Sequence, residues 1–311
     1  MKNRLITILT FIALITVGCS SEMSEEKIKV GALAGPTGMG MVHIMDNDNY
    51  DFTISASPDE IVGKIINGEF DIAAIPANMA LLLYNRTEGD IMVTAVNALG
   101  SLYLLENGED IISFEDLSGQ NINISGKGAT PDFVFQYLAN QNGLSDVVID
   151  YSLNHLQLSA AVAQGDVKLA LLPQPHATVA MQQNKDIRVA LDINDEWLKH
   201  NSTNPLTMGV LVVQREFATK NPNLLNEFLK EYEKSIELTN SDIEESARLI
   251  EKHNIIPNAE VAKNAIPLSN IVYIDAIDAR DSLDKFYEVL YDLNPKSIGE
   301  RLADDAFYYE K

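Results

Sequence analysis

The sequence predicts an α/β protein with two lobes, each a mostly parallel sheet flanked by helices, and a C-terminal helical extension. Three observations predict this class. Strand-like and helix-like segments alternate from residue 28 onward, one strand–helix unit occurs twice, and a helical pattern runs through most of residues 222–311. The 311 residues are enough for one large domain or two smaller ones.

The alternation is clearest in the first third of the chain. A buried strand over residues 27–33 runs into a glycine turn at residues 35–40, and an apolar helical period begins over residues 41–45. Ser57 and Glu60 form a capping-box pattern at the start of the next helix. The segments predicted beyond that turn are a strand at 51–55, a helix at 60–66 and a strand at 70–75.

The repeated unit joins the end of a helix to a strand and a loop. Residues 68–80 align without a gap on residues 165–177, and both segments begin with glycine and carry proline at the ninth position. The predicted helix caps, Ser57 and Asn154, each lie eleven residues before these segments, and a strand with a glycine-rich turn precedes each cap. Three matches in the same order predict two structurally equivalent α/β lobes.

The chain is expected to cross twice between the lobes. Strand-like segments at 101–105 and 208–213 lie at either end of the second copy. We therefore assign residues 28–99 plus 208–311 to lobe I and residues 100–207 to lobe II. Helices that we expect to cover lobe I are predicted at 223–239, 241–253, 259–265 and 281–291.

The N-terminus has the features of an export signal. Two basic residues precede an apolar run over residues 5–17, which is shorter than the roughly 20 apolar residues that a membrane span needs. The run ends just before Cys19, and a polar segment follows. We interpret residues 1–18 as a lipoprotein signal peptide, Cys19 as the lipidated residue and residues 19–27 as a tether. A plain secretory signal with an incidental cysteine is the alternative.

Composition excludes several classes of function. The formal net charge is −22, and it becomes −24 when the signal peptide is removed, so a nucleic-acid partner is not expected. The same charge repels anionic lipid, so membrane contact is expected only through the N-terminal lipid. A single cysteine and five scattered histidines show no redox or metal-binding spacing, and we expect no metal. No nucleophile motif stands out, and we expect a protein that is not an enzyme.

The candidate binding residues follow from the predicted topology. Ligands of open α/β sheets sit beyond the carboxyl ends of the strands, where glycine turns and helix N-termini present backbone N–H groups that attract anions. Asn78 and Gln174 add amides, and His176 adds a group that titrates near neutral pH. The candidate ligand-binding residues are Thr37, Gly38, Met39, Ser57, Asn78, Asn97, Gly128, Ala129, Thr130, Gln174, His176 and Thr207.

Other interpretations of these residues stay open. The glycines can form tight turns without a ligand, Asn78 can be a helix cap, and His176 can be a partly exposed surface residue. Neither glycine loop is a nucleotide fingerprint, because Gly128 stands where a P-loop needs Ser or Thr and Pro131 stands where a dinucleotide loop needs glycine. We therefore expect no cofactor.

Several segments resemble a known family. They are the GEFDIA segment at 68–73, the DLSGQ segment at 116–120 that leads into Gly126-Lys127-Gly128, and the pair 210–218 and 221–225. The chain resembles the solute-binding lipoproteins of ABC importers, in the NMT1/THI5-like and SsuA group with the type II periplasmic-binding-protein fold. The resemblance covers roughly residues 27–255.

The resemblance implies a function. It implies a monomer, lipid-anchored on the extracytoplasmic face of the cell membrane, that captures a small anionic or heteroaromatic solute between its lobes and delivers it to an ABC permease. Sulfonate and nitrate binders of the group often bring basic side chains into the pocket, whereas Lys127 is the one basic residue in the proposed loops here.

Two alternatives are a ligand-sensing subunit of a membrane receptor and an enzyme of the thiamine-precursor type. The single cysteine cannot supply the cysteine-rich motif of those enzymes.

Overall fold

The computed structural model describes residues 27–311, so the proposed signal peptide, Cys19 and the tether up to residue 26 lie outside the described residues. The described chain folds into two mixed sheets flanked by helices. The strands are β1 (Ile28–Leu33), β2 (Tyr50–Ser55), β3 (Ile72–Pro76), β4 (Ile91–Leu99), β5 (Leu102–Asn107), β6 (Asn121–Ile124), β7 (Val148–Asp150), β8 (Leu169–Pro173), β9 (Ile187–Asp192), β10 (Thr207–Gln214) and β11 (Ile271–Asp275).

Helices connect most of these strands. They are α1 (Pro36–Met39), α2 (Pro58–Ile66), α3 (Ala77–Arg86), α4 (Thr130–Gln141), α5 (His155–Gln164), α6 (His176–Gln183), α7 (Ile193–His200), α8 (Arg215–Lys220), α9 (Pro222–Ser241), α10 (Ile243–Lys252), α11 (Ala259–Ala265) and α12 (Arg280–Leu293). We call the six-stranded sheet with its helices the first half of the molecule, and the five-stranded sheet with its helices the second half.

The two sheets share one strand order. The first sheet has the order β11-β4-β10-β3-β1-β2 and the second the order β7-β6-β8-β5-β9. Read in the same direction, β4-β10-β3-β1-β2 corresponds to β9-β5-β8-β6-β7. In each of these sets four strands run in one direction, and the strand that enters from the other half, β10 or β5, runs against them. The predicted α/β class with two sheets flanked by helices is confirmed.

The repeated glycines end equivalent helices. Gly165 caps α5 in the left-handed conformation with φ of 83°, and Gly68 has φ of 66° two residues after Ile66, the last residue of α2. Glycine adopts this conformation without the steric cost that a Cβ brings, so the chain can turn at once into the next strand. In both halves that strand ends at the proline of the repeat, Pro76 or Pro173.

Two local predictions were wrong, and one strand was not predicted. The helix after β1 lies at Pro36–Met39, and residues 41–45 form turns whose apolar side chains pack against α9. Ser57 precedes α2 but its side chain caps no backbone N–H, so the predicted capping box does not form. The sequence analysis also missed β11, a short strand that pairs with β4.

The C-terminal helices cover the first sheet and also reach the second half. Helix α9 contributes Phe228, Leu229 and Tyr232 to a buried cluster with the strands of the first sheet. Helix α12 lies beside α4, and its Phe286 ring has its centroid 6.4 Å from that of Trp197 on α7. The packing of α12 therefore joins the two halves through a shared apolar core.

Candidate functional site

The carboxyl ends of the parallel strands in the two sheets face each other. Asn78, which follows β3, accepts a hydrogen bond from the Thr130 hydroxyl of the second half at 3.3 Å. A Cβ placed on Gly35, after β1, would lie 3.9 Å from Pro175, which follows β8. These two contacts define an interlobe cleft between the loops after β1 and β3 and the loops after β6 and β8.

The turn after β1 supplies one wall of this cleft. Thr37 is half-buried and its hydroxyl donates to the Leu33 carbonyl oxygen at 3.4 Å. Gly38 is buried against that same carbonyl. Met39 is fully buried, and its thioether lies 3.9 Å from the Ser269 hydroxyl in the core of the first half. This packing gives Met39 a core position, so we leave it out of the proposed contact set.

Two further candidates of the first half lie at the N-termini of helices. Ser57 is exposed and directly precedes α2. Asn78 is the second residue of α3 and is half-buried, with its side-chain oxygen accepting from Thr130. Pro76 is the N-cap of α3, so Asn78 does not serve as the cap.

Asn97 and Thr207 come together with Thr37 at the end of the first sheet. Asn97, fully buried on β4, donates through Nδ2 to the Tyr232 hydroxyl at 3.0 Å. A Cβ placed on Gly209 of β10 would come within 2.5 Å of Asn97 Oδ1 and 2.8 Å of Thr37 Cγ2. Glycine at this position therefore lets two polar side chains lie close to the β10 backbone. Thr207, two residues earlier, is buried as well.

The glycine turn after β6 is organised by a carboxylate. Gly128 has φ of 72°, and its N–H donates to Asp132 Oδ2 at 2.7 Å. The same carboxylate accepts from the Tyr151 hydroxyl and from Gln136 Nε2, each at 2.6 Å. Burial, and then the hydrogen bond to Asp132, raises the pKa of Tyr151, which keeps this hydroxyl a donor.

The next two candidates begin α4. Ala129 is its N-cap, with no side-chain cap bond, and Thr130 is its buried first residue.

A polar cluster lies after β6 and β8. Gln174 is buried, and its Oε1 accepts from the Thr178 hydroxyl at 2.7 Å. His176 stacks on His155 with ring centroids 5.4 Å apart, and His155 Nδ1 shares a short hydrogen bond with the Ser125 hydroxyl. Burial, followed by repulsion from His155, lowers the pKa of His176 to about 4, and burial lowers the pKa of His155. Both imidazoles are therefore neutral at physiological pH.

Four buried polar atoms at the cleft edges have no hydrogen-bond partner within residues 27–311. Three belong to the first sheet: Ser55 Oγ at the end of β2, Asn97 Oδ1 and Thr207 Oγ1. The fourth, Gln174 Nε2, belongs to the second half. A buried polar atom without a partner costs about 1–3 kcal/mol, so the set needs a partner that the protein chain does not supply.

Sequence reasoning missed Asp132 and His155 as site residues. Asp132 was not selected as a site residue because a carboxylate in the first turn of a helix is common in helices without a ligand. His155 directly follows the predicted cap Asn154, and its contact with Ser125 spans 30 residues of sequence. No local spacing connects those two residues, so only the fold brings them together.

Within the described part of the chain, no group of three or more His, Cys, Asp or Glu residues is placed to hold a metal ion. Over the same residues, none of the helices is both long and apolar enough to cross a bilayer.

The geometry defines an α/β protein of the type II periplasmic-binding-protein class. The family described as "Menaquinone biosynthesis" matches residues 28–292, and the chain belongs to that family. An ABC transporter protein from Parabacteroides distasonis is 25% identical and aligns over 92% of this chain and 99% of its own, with a TM-score of 0.80. None of the curated proteins that were compared with the chain matches it significantly.

Two solute-binding proteins share the fold at lower identity. The periplasmic aliphatic sulphonate binding protein SsuA of Escherichia coli is 19% identical, covers 93% of this chain and 95% of its own, and has a TM-score of 0.68. The periplasmic nitrate-binding protein NrtA of Synechocystis PCC 6803 is 12% identical over 86% and 81%, with a TM-score of 0.63. The resemblance to this group of solute-binding proteins is confirmed.

Proposed function

We propose that the protein is an extracytoplasmic solute-binding lipoprotein of an ABC importer, which captures a small solute between two lobes and delivers it to a membrane permease. The proposed lobe I is residues 28–99 plus 208–311, and lobe II is residues 100–207. The fold and its likeness to an ABC transporter protein and to periplasmic sulphonate- and nitrate-binding proteins support this role. The importer, the lipid anchor and the lobe boundaries are part of the proposal.

The observation that carries the proposal is the set of four unpartnered buried atoms described above. They come from both sheets and they lie at the edges where ligands of this kind of sheet bind. A solute held in the cleft would supply the missing hydrogen bonds, and each would replace an unfavourable desolvated atom with a satisfied one. The proposed contact set is Ser55 together with the residues predicted from the sequence, Thr37, Gly38, Ser57, Asn78, Asn97, Gly128, Ala129, Thr130, Gln174, His176 and Thr207.

Binding would work by a shift between an open and a closed arrangement. In the open arrangement water reaches the four atoms, and in the closed arrangement they are sealed, as they are here. A solute that contacts both lobes only when they are closed shifts the population toward that state. The permease would then recognise the loaded closed form.

A thermal-shift screen tests the proposed binding. Sulfonates, nitrate, pyrimidines, flavin-like rings and amino acids are added to the purified protein, and a solute that binds only the folded state raises the melting temperature. We expect one class to do so, and expect Gln174→Ala to reduce the shift, because that change removes an amide aimed at the solute. A complete absence of stabilisation across these classes, with no bound small molecule in the native protein, would contradict the proposal.

The lipid anchor has its own test. Full-length protein and a Cys19→Ser variant are expressed with their signal, and the cells are fractionated. We expect the unchanged protein in the membrane fraction and the variant in the soluble extracytoplasmic fraction, because one acyl-bearing residue is the proposed attachment. Equal recovery of both proteins in the soluble extracytoplasmic fraction would favour the plain secretory signal.

A biosynthetic enzyme is a second candidate, favoured by two observations. The matched family is described by a biosynthetic pathway, and the Ser125 hydroxyl lies beside His155 Nδ1 as a nucleophile lies beside its base. Mass spectrometry of solutes incubated with the protein separates the candidates. Conversion that is lost in Ser125→Ala supports an enzyme, whereas binding with unchanged solute supports a carrier.

A further inference from the structure

The N-terminus of α4 holds a carboxylate of the protein itself. Asp132 is buried, with 3% of its surface exposed, and three donors converge on it: the Gly128 N–H at 2.7 Å, the Tyr151 hydroxyl at 2.6 Å and Gln136 Nε2 at 2.6 Å. These groups come from the glycine turn, the end of β7 and the next turn of α4. We call this arrangement the carboxylate seat.

The carboxylate seat occupies the helix N-terminus and glycine turn at which the sequence predicts an anion-binding site. A helix N-terminus and a glycine turn attract an anion through free backbone N–H groups. Here the Gly128 N–H is already engaged, and the local positive potential of a 12-residue helix is opposed by a full negative charge. An anionic solute bound at the N-terminus of α4 would lie beside this buried carboxylate, and bringing like charges together away from water is unfavourable.

The other titratable groups near the carboxylate seat do not supply a buried positive charge that would offset Asp132. Lys127 is exposed, and its Nζ lies 5.4 Å from the centre of the Tyr151 ring, beside the group that donates to Asp132. The histidines of the second half, His155 and His176, are neutral at physiological pH for the reasons given above. The cleft loops therefore offer no second cation to an anionic solute.

The four unpartnered buried atoms indicate which hydrogen-bonding groups the solute carries. Asn97 Oδ1 can only accept, Gln174 Nε2 can only donate, and the hydroxyls of Ser55 and Thr207 can do both. A solute that satisfies this set carries hydrogen-bond donors as well as acceptors. Amide- and hydroxyl-bearing molecules do so without any charge.

From these observations we infer that Asp132 is a specificity-determining residue: its carboxylate fills the anion position at the N-terminus of α4, so that the cleft takes an uncharged polar solute and rejects sulfonate- or nitrate-like anions. This inference rests on the proposed function, because it names the class of solute for that same cleft.

The seat can be tested without knowing the natural solute. Asp132→Ala leaves three donors without an acceptor, and formate is small enough to replace the missing carboxylate. We expect formate to raise the melting temperature of Asp132→Ala saturably, relative to chloride at equal ionic strength, and to leave the wild type unchanged. An equal response of the wild type and Asp132→Ala to formate, or no response of either, would overturn the inference.

The charge selection is tested by equilibrium dialysis with labelled ethanesulfonate and nitrate. Asp132→Asn keeps the size of the side chain and removes the charge, so it is the variant to use if Asp132→Ala does not fold. We expect no saturable binding to the wild type and saturable binding to Asp132→Asn. Saturable binding of either anion to the wild type overturns the inference, and so does the absence of any gain in the variant.

Matched neutral and anionic rings separate this inference from the proposed function. Uracil is compared with orotate, and nicotinamide with nicotinate, because the members of each pair differ mainly in one carboxylate. A preference of the wild type for the uncharged members supports the inference, and a preference for the anionic members overturns it while a solute-binding function stands. If no solute stabilises the protein and none is carried by the native protein, the proposed function fails, whereas the formate result still tests the carboxylate seat.

Discussion

Two buried threonines of the first sheet differ in whether their hydroxyl has a hydrogen-bond partner. Thr94 on β4 donates its hydroxyl hydrogen bond to the Leu211 carbonyl oxygen at 3.1 Å, whereas the Thr207 hydroxyl at the start of β10 has no partner within the described residues. Both side chains are 1% exposed. The Thr94 hydroxyl therefore contributes a hydrogen bond to the stability of the fold, whereas the Thr207 hydroxyl contributes none among residues 27–311.

We predict opposite effects of the same substitution at these two positions. Thr94→Val loses a buried hydrogen bond and should lower the free energy of unfolding by about 1 kcal/mol. Thr207→Val removes an unpaired buried hydroxyl at nearly constant volume, so stability should stay the same or rise, while the affinity for the solute found by screening falls. Denaturant unfolding measures the first quantity and calorimetry the second. A loss of stability at Thr207 equal to that at Thr94 would contradict the prediction.

The pKa of His176 makes stability depend on pH in a defined window. Its pKa is about 4 in the folded protein, below the ordinary value of about 6.5, because burial and then His155 disfavour the charged imidazolium. The unfolded chain therefore binds more protons between these values. The contribution is fully present above about pH 6.5, and the free energy of unfolding should fall as the pH drops from there toward 4.

His176→Gln should make this pH dependence shallower. The measurement is urea unfolding at a series of pH values from 8 down to 4, and the slopes are compared because the variant also loses the stacking on His155. The slope should not vanish, since burial lowers the pKa of His155 as well. Identical slopes for the wild type and the variant would show that His176 does not stay neutral in the folded protein.

At the scale of the element, the two copies of the repeat begin their helices differently. Asn154 accepts from the Gln157 N–H at 3.0 Å, and Gln157 Oε1 accepts from the Asn154 N–H at 3.1 Å, which is a complete capping box. Ser57, the equivalent residue before α2, makes no such bond. Both residues are exposed, so solvent access does not explain the difference.

We predict that Asn154→Ala lowers the free energy of unfolding by about 1 kcal/mol, the usual value of a helix N-cap, while Ser57→Ala changes it little. Ser57 is instead in the proposed contact set, so its substitution should act on solute affinity. Thermal unfolding and calorimetry on both variants provide the comparison. Equal destabilisation by the two substitutions would mean that Ser57 caps α2 in solution.

The elements that could be predicted are those whose signal is local. The strands of the repeat and the long helices α9 and α12 follow from apolar period and from glycine and proline positions. The helical spacing of Met41 and Met45 predicts a helix where the structure has turns, because both side chains pack against residues that are distant in sequence. Strand β11 has five residues, and its pairing with β4 bridges more than 170 residues of sequence.

At the scale of the whole molecule, the repeated strand–helix unit could be predicted from the sequence, because each copy carries glycine, proline and a helix cap at the same spacing, whereas the strand order was not predicted. The site was accessible in part. Asn97, Gln174 and Thr207 were chosen for their place at crossings or strand ends, and they are the candidates with unpartnered buried atoms. Asp132 could not be chosen, because its role depends on Tyr151, which is brought to it by the fold of the second half. The hydrogen bonds between the two halves also join residues that are far apart in sequence.

One hydrogen bond between the two halves leads to a prediction about the radius of gyration. The Tyr103 hydroxyl on β5 donates to the Leu268 carbonyl oxygen of the first half at 2.7 Å, whereas the Tyr287 hydroxyl on α12 donates to the Ala77 carbonyl oxygen within the first half at 3.0 Å. Tyr103→Phe and Tyr287→Phe therefore delete the same chemical group, in one case across the cleft and in the other within one half.

We expect Tyr103→Phe to shift the solute-free protein toward an open form, because the lost bond joins the two halves. Small-angle scattering should then show a larger radius of gyration than in the wild type, and addition of a bound solute should reduce it. Tyr287→Phe should cost about 1 kcal/mol of stability without this expansion. If both variants keep the wild-type radius with and without solute, the halves do not move about a hinge, and a rigid cleft would have to replace the proposed closing motion.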